Sequence, residues 1–155
     1  MRPEDALARL PVPLRRLAYR VAYRLLQAWS RLRPVAAEGV KCVLRHEGRI
    51  LFIRHTYGDR ELWELPGGGL HRAEPPLEAA TREAREELGV ELVWRPLATI
   101  DLRDHRLTTM HVFTADAVTD VVTPDPGELA EVRWAAPDRP PSPLSPSSTA
   151  ILQLL

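Results

Sequence analysis

The sequence predicts an α/β protein with one domain, preceded by an amphipathic helix. Three observations support this prediction. Apolar residues recur at steps of three and four near the N-terminus, apolar runs separated by turn signals follow, and a second helical segment lies in the middle. A chain of 155 residues suits one hydrophobic core. We assign residues 1–34 to a basic helical extension and residues 35–155 to the domain.

The extension is predicted to be a helix from Leu14 to Leu32, because its apolar residues fall on one side at helical spacing, and Pro34 ends it. Residues 1–34 contain eight arginines and two carboxylates, so they carry a charge of +6 in a chain whose net charge is zero. Three roles fit this pattern. The apolar stripe packs on the domain or on a second copy in a homodimer, the helix contacts an anionic membrane surface, or it is a targeting segment.

A β-hairpin and a helix begin the domain. Strands are predicted at residues 39–46 and 49–55, with the turn at Glu47-Gly48. Residues 77–88 have helical spacing, and Gly89 suits the C-terminal cap of that helix.

Three further strands and a last helix complete the predicted domain. The strands are expected at residues 90–100, 109–118 and 131–136. Ser147-Ser148 is predicted to cap a helix that ends at Leu155. The alternation of strands and helices is typical of the α/β class.

The composition limits the partners and the compartment. A net charge of zero gives no overall field that would attract nucleic acid, so we expect no nucleic-acid partner. Cys42 is the only cysteine, which excludes an intrachain disulfide and favours a reducing compartment, the cytoplasm. We find no apolar run that would span a bilayer and no secretory signal.

A cluster of carboxylates on the helix at 77–88 is the main functional signal. Glu83, Glu86 and Glu87 share one side of the helix, where like charges destabilise by a few tenths of a kcal/mol per pair. A divalent cation would offset this repulsion, because Mg²⁺ prefers hard oxygen ligands. Taken alone, the cluster is more often a solvated face with arginine partners. The preceding glycines, Gly67-Gly68-Gly69, favour a ligand site, since they let backbone atoms approach a phosphate or a metal.

Together these residues resemble the Nudix box of the Nudix hydrolase superfamily. Gly68 is followed after five residues by Glu74, and after seven more by the segment from Arg82 to Val90. The seven fixed positions of the box all match: Gly68, Glu74, Arg82, Glu83, Glu86, Glu87 and Gly89. Ala84 stands at an aliphatic position and is smaller than the usual residue. With its flanks, the resemblance covers residues 39–134.

The resemblance implies a fold, an activity and a cofactor. The expected fold is an α/β/α sandwich with a mixed β-sheet. The expected reaction is metal-dependent hydrolysis of the diphosphate linkage in a nucleoside diphosphate derivative, such as a nucleotide sugar or a nucleoside triphosphate. The implied cofactor is Mg²⁺ or Mn²⁺, with Glu83, Glu86 and Glu87 as ligands and a backbone carbonyl from Gly67 or Gly68 as a further one.

The general base varies within this family. A box residue, Glu86 or Glu87, is one choice, and Glu128 on a later loop is another; Glu131 is a weaker choice. The alternative for the two loop residues is that they are ordinary loop or strand-end acids. We expect Glu74 and Arg82 to form a structural pair that holds the glycine-rich loop against the helix.

Three residues are candidates for substrate contacts: Arg54, Trp63 and His105. Each has a more ordinary explanation. Arg54 and its neighbour His55 would form a surface pair at the end of a strand, Trp63 would belong to the core, and His105 would be a solvated loop residue.

The sequence leaves open which substrate is hydrolysed and whether the protein is an enzyme at all. Pro96 is too near the box and Pro124 too far from it for the ADP-ribose pyrophosphatase pattern, and no tyrosine follows Tyr57, as dinucleoside polyphosphate hydrolases would have. Nucleoside triphosphates, nucleotide sugars, CDP-alcohols and other diphosphate compounds remain as substrates. The alternative function is a nucleotide-binding sensor or regulatory module with little turnover. Such domains often lose box glutamates, and this chain retains them all, which favours an enzyme.

Overall fold

The computed structural model describes residues 10–32, 37–103 and 107–155 as three helices and five strands. The elements in chain order are α1 (Val12–Leu32), β1 (Ala37–His46), β2 (Arg49–His55), α2 (Pro76–Leu88), β3 (Arg95–Arg103), β4 (Leu107–Asp116), β5 (Leu129–Ala135) and α3 (Pro146–Leu152). The predicted N-terminal helix, the hairpin and the helix with the box carboxylates are all present.

The five strands form one mixed sheet in the order β3-β4-β1-β2-β5. β1 runs parallel to β4, and all other neighbouring strands are antiparallel. β1 and β2 join through Glu47 and Gly48, both of which have positive φ, at 46° and 75°. Two successive positive φ angles suit the right-handed twist of a tight hairpin. The expected mixed sheet is therefore confirmed.

The sheet separates two apolar layers, because side chains alternate between its faces. One face of β1 and β2 packs on the alanine-rich side of α2, through Val40, Cys42, Leu44, Leu51, Ile53, Ala79, Ala80, Ala84 and Leu88. The other face packs on Ile151 of α3 and on Trp63 and Leu65 of the segment after β2. Its contacting residues are Val43, Ile50, Phe52 and Val112. This arrangement confirms the α/β/α sandwich.

Two predicted boundaries are wrong. The strand expected at residues 90–100 begins only at Arg95, which pairs with Thr114 close to the end of its partner strand β4. The last helix is capped by Ser145, whose side chain accepts a hydrogen bond from the Ser148 N–H. Pro146 follows directly, and its fixed φ suits the first turn of a helix. That helix ends at Leu152 rather than at Leu155.

Helix α1 lies against the domain with its polar and aromatic side, not with its apolar stripe. Leu14, Leu17, Val21 and Leu25 are 49 to 66% exposed. The expectation that the apolar stripe packs on the domain is therefore wrong for these four residues. The reason is that the opposite side, with Tyr19 among its residues, finds hydrogen-bonding, ionic and aromatic partners on the domain.

No helix within the described ranges has both the length and the apolar character needed to cross a bilayer.

Candidate active site

The glycine-rich turn lies directly against the carboxylates of α2. Gly67 has a φ of 133°, and a Cβ there would come within 2.2 Å of the Val40 carbonyl oxygen. Its N–H donates to Glu87 Oε2 over 2.9 Å. A Cβ at Gly68 would lie 2.5 Å from Glu83 Oε1. Glycine is therefore required at Gly67, and at Gly68 a larger residue would displace the Glu83 carboxylate.

Glu87 is the buried centre of the site. It is 1% exposed, and its Oε1 lies 3.7 Å from Nε2 of His55 at the end of β2. Glu128, on the loop before β5, completes a group in which one ligand atom from each residue lies within 4.8 Å of the others. The fold thus brings together three residues that are distant in sequence.

Burial and the closeness of the carboxylates to one another shift the pKa values in this group. Burial, together with the neighbouring carboxylates of Glu128 and Glu83, raises the pKa of Glu87 well above its usual value. Burial also raises the pKa of Glu83, and it raises that of Glu128 to about 7. Burial lowers the pKa of His55 to about 4, so the ring is neutral near pH 7 and its contact with Glu87 is not an ion pair.

A divalent cation fits this donor set. Glu87 supplies oxygen ligands of the kind that Mg²⁺ and Mn²⁺ prefer, and the Glu128 carboxylate lies beside it. His55 supplies a neutral imidazole, whose Nδ1 is buried without a hydrogen-bond partner among the described residues. Glu83 lies beside Gly68 and contributes to the pKa shifts of Glu87 and Glu128.

Arg82 connects the box residues to one another. Its Nε and one terminal nitrogen donate to the two carboxylate oxygens of Glu74, over 2.8 and 2.9 Å, so the predicted pair is present. This hydrogen bonding holds the pKa of Glu74 at about 2. The other terminal nitrogen donates to Glu83 over 2.7 Å. It also reaches Glu86 over 3.3 Å, but Glu86 is 41% exposed and lies at the rim, outside the group formed by Glu87, Glu128 and His55.

The loop with Glu128 is held from two sides. The Thr56 N–H donates to the Glu128 carbonyl over 2.8 Å, and the Tyr57 hydroxyl donates to Glu128 Oε1 over 2.7 Å. The N–H of Asp125 donates to the Glu87 carbonyl over 3.0 Å. The loop is therefore tied to the end of β2 and to α2.

Helix α1 contacts the same loop and the segment after β2. Arg15 forms a 2.9 Å ion pair with Asp125, and Arg16 donates to the Pro126 carbonyl over 3.1 Å. The rings of Tyr19 and Tyr23 lie 5.9 and 5.4 Å from that of Tyr57. The N-terminal extension thus braces the part of the chain that carries Glu128.

Arg54 and Trp63 lie on the opposite face of the sheet from the carboxylates. Arg54 donates to Glu131 over 2.8 Å and lies over the Trp63 ring at 5.4 Å. Trp63 is only 4% exposed, within the core on the α3 side. The position of His105 falls outside the described residues. Substrate contacts by Arg54, Trp63 and His105 stay predictions, and Glu131 does not join the site group.

Two site residues were missed by the sequence analysis. His55 is buried, so the interpretation of Arg54 and His55 as a surface pair is wrong for the histidine. Strand alternation could have found it, because His55 follows Leu51 and Ile53 on the face that packs against α2. No local sequence pattern identifies Tyr57, because its hydrogen bond to Glu128 depends on how two loops that are distant in sequence come together.

The fold and the site define a class: an α/β/α sandwich in which a glycine-rich loop and a helix gather buried carboxylates suited to a divalent cation. The family profile described as the NUDIX domain matches residues 35–155. The chain therefore belongs to the NUDIX domain family.

Curated relatives match parts of the chain. It is 30% identical over 99 residues to the "Putative 8-oxo-dGTP diphosphatase" of Bacillus subtilis, an alignment that covers 64% of this chain and 65% of that protein. It is 54% identical over 50 residues to an ADP-ribose pyrophosphatase of Mycobacterium tuberculosis, covering 31% and 24%. It is 41% identical over 51 residues to phosphatase NudJ of Escherichia coli, covering 33% of each. The chain thus spans less than two thirds of the length of each relative.

Solved structures share the fold. The MutT NUDIX hydrolase of Burkholderia pseudomallei superposes with a TM-score of 0.72 at 28% identity, covering 78% of this chain and 98% of that one. The ORF135 protein of Escherichia coli gives a TM-score of 0.64 at 23% identity, covering 77% and 87%. At that identity the second likeness concerns the fold alone.

Proposed function

We propose that the protein hydrolyses the diphosphate linkage of a nucleoside diphosphate derivative with the help of Mg²⁺ or Mn²⁺. The observation that carries the proposal is the convergence of Glu87, Glu128 and His55 beside the turn at Gly67-Gly68. Buried carboxylates whose pKa values are raised need a cation to remain charged, and a diphosphate needs cations to accept a nucleophile.

The carboxylates of the site have two proposed roles, cation binding and proton transfer. Glu87 and Glu83 bind the cation, and Gly68, whose backbone lies against the Glu83 carboxylate, is the proposed source of a backbone carbonyl ligand. Glu86, at the rim, is a further ligand within reach of solvent. A divalent cation held by these residues would neutralise charge on the phosphate oxygens and orient the attacking water. Glu74 and Arg82 hold the loop against α2 so that these donors keep their positions.

Glu128 is the proposed general base. It accepts a proton from the water as the water oxygen bonds to phosphorus and the bond from that phosphorus to the bridging oxygen breaks. Its position suits this role, because its carboxylate lies within 4.8 Å of the Glu87 ligand atom, and without a cation, burial raises its pKa to about 7. Tyr57 fixes its carboxylate by donating a hydrogen bond, and the N–H of Gly67 fixes that of Glu87 in the same way.

The proposed substrates are small nucleotide derivatives: nucleoside triphosphates, nucleotide sugars or similar compounds. The names of the relatives include an ADP-ribose pyrophosphatase and an 8-oxo-dGTP diphosphatase, so both compounds belong in the test. The experiment measures phosphate release, coupled to a phosphatase, across 8-oxo-dGTP, dGTP, ADP-ribose, UDP-glucose and CDP-choline with Mg²⁺ or Mn²⁺. Turnover of at least one compound that stops in EDTA supports the proposal. Absence of turnover with every compound and both metals contradicts it.

The same panel separates an enzyme from a sensor. A sensor would bind one of these nucleotides, as measured by calorimetry, without releasing phosphate. The complete set of box carboxylates favours the enzyme, because a module that only binds a nucleotide has no need to retain all three.

We also propose that the exposed stripe of α1 contacts an anionic membrane surface. Leu17, Val21 and Leu25 present an apolar face to solvent, while α1 contains several arginines and no acidic residue. A basic amphipathic helix of this kind suits an interface with anionic lipids.

A further inference from the structure

A cavity of about 500 Å³ lies between α1 and the segment that follows β2. Among the described residues, its charged lining consists of Arg20 and Arg24 from α1, Arg60 from the segment, and a single carboxylate, Asp59. The cavity therefore has an excess of positive charge in a region where the neighbouring site is strongly negative.

The positive charges of the three guanidinium groups are not neutralised by ion pairs among the described residues. Within the described part of the chain, no carboxylate forms an ion pair with any of them. Arg20 uses its Nε to donate to the Thr56 carbonyl over 3.2 Å, which fixes the direction of its side chain. The Asp59 carboxylate accepts a hydrogen bond from the Glu61 N–H over 3.2 Å, within the turn that contains both residues. Planar guanidinium groups that lack a carboxylate partner suit the oxygens of a phosphate group, which they bind through paired hydrogen bonds.

Tyr57 joins this cavity to the candidate active site. Its ring lines the cavity, its hydroxyl donates to Glu128, and the His55 ring lies 4.7 Å away. Tyr57 therefore belongs both to the lining of this cavity and to the surroundings of Glu128.

We propose that this cavity is a metal-independent anion subsite that binds a phosphate group of the substrate, so that α1 takes part in substrate recognition. The identification of the ligand as part of the substrate rests on the proposed hydrolase function. Binding of an anion does not, because it requires neither a metal nor turnover. The subsite would favour substrates with a phosphate beyond the bond that is cleaved, such as a nucleoside triphosphate.

The test is calorimetric binding of inorganic pyrophosphate to the full chain in EDTA at low ionic strength. EDTA removes any cation from the carboxylates, so binding through that group is excluded. Arg24→Ala and Arg60→Ala should each weaken binding about tenfold, the loss typical of one charge-assisted hydrogen-bonding group. Arg139→Ala is the matched control, since Arg139 is 85% exposed and does not line the cavity. Because Arg24 and Arg60 are both exposed, their replacement should leave the unfolding temperature unchanged.

The outcomes separate this proposal from the proposed function. If wild-type protein does not bind pyrophosphate in EDTA, or if Arg24→Ala and Arg60→Ala bind it as tightly as Arg139→Ala, the subsite proposal is overturned while hydrolysis by the wild type is untouched. If wild-type protein fails to hydrolyse any compound of the panel, the loss of anion binding in the two variants still supports the subsite.

Discussion

The Tyr57 hydroxyl donates a hydrogen bond of 2.7 Å to Oε1 of Glu128. Tyr57 follows β2, whereas Glu128 precedes β5, and the ring of Tyr57 also contacts Tyr19 of α1 at 5.9 Å. One side chain therefore links the N-terminal helix to the carboxylate that we propose as the general base.

Replacement of Tyr57 by Phe should lower kcat about tenfold and leave KM nearly unchanged. The ring and its stacking are retained, but Glu128 loses the donor that orients it, and a misplaced base slows proton transfer rather than binding. Steady-state kinetics with the best substrate of the panel measures the effect. Tyr19→Phe is the control, because it removes a hydroxyl from the neighbouring ring without removing that donor. Equal kcat values for Tyr57→Phe and the wild type would show that the hydrogen bond does not position the base.

Replacement of Gly67 by Ala should destabilise the fold by more than about 3 kcal/mol. The new Cβ would lie 2.2 Å from the Val40 carbonyl oxygen, and the φ of 133° is strained for any other residue. Gly69→Ala is the matched control in the same turn, since no heavy atom of the described residues lies within 4 Å of a Cβ there. Urea unfolding of the two variants tests the difference. Similar stabilities would mean that the turn does not approach β1 as closely as we describe.

Glu74 should contribute stability that depends on pH. Its pKa is lowered to about 2 by Arg82, so the contribution is complete above the unfolded pKa of about 4 and is lost as the pH falls through 2. Glu74→Gln should therefore lower the free energy of unfolding by about 2 kcal/mol near neutral pH, with the difference from wild type vanishing toward pH 2.

The control for this prediction is Glu91→Gln. Glu91 pairs with Arg85 over 3.3 Å, but both side chains are more than half exposed, so the change should cost less than about 0.5 kcal/mol. Chemical denaturation at several pH values gives both curves. A difference for Glu74→Gln that stays constant with pH would contradict the assignment of the ion pair as its source.

The exposed stripe of α1 should direct the protein to anionic vesicles. Wild-type protein should co-sediment with vesicles of phosphatidylcholine and phosphatidylglycerol, and the double variant Leu17→Glu/Leu25→Glu should bind at least about tenfold more weakly, because two leucine contacts with the bilayer are lost. Val118→Glu, at a residue that is 96% exposed and far from α1 in sequence, is the control. Vesicle binding that is equal for the double variant and the wild type would exclude the membrane surface. A change from dimer to monomer in the double variant would instead identify a second copy as the occupant.

Local sequence signals predicted the parts of the fold and site that depend on neighbouring residues. The hairpin followed from the turn at Glu47-Gly48, and α2 followed from its periodicity and from Gly89, whose φ of 66° suits the end of a helix. The pairing of Glu74 with Arg82 followed from the motif. These features are set within one element or between adjacent ones.

Tertiary contacts decided what the sequence could not. The apolar stripe of α1 suggested burial, but the aromatic and basic side of the helix found Tyr57 and Asp125 instead. The burial of His55 depends on which face of β2 receives α2, and the pairing shifts register between Arg54 and His55. The choice between Glu128 and Glu131 as the site residue also depended on the fold, since Glu131 pairs with Arg54 on the other face of the sheet.

Glu87→Gln should abolish metal-dependent turnover, with a loss of at least about a hundredfold, while the protein stays folded. The amide oxygen of glutamine can still accept the hydrogen bond from the Gly67 N–H. Its unfolding temperature should equal or exceed that of the wild type, because a carboxylate buried with a raised pKa destabilises the metal-free fold. Activity equal to the wild type would show that Glu87 is not a ligand.

The most direct measurement is calorimetric titration of Mn²⁺ into wild-type protein, Glu87→Gln and the control Glu78→Gln, in which an exposed acid in the first turn of the same helix is replaced. We expect the wild type and Glu78→Gln to bind Mn²⁺ alike, and Glu87→Gln to bind it at least about tenfold more weakly. Failure of the wild type to bind Mn²⁺, or equal affinity in all three proteins, would contradict the assignment of the buried carboxylates as a metal site.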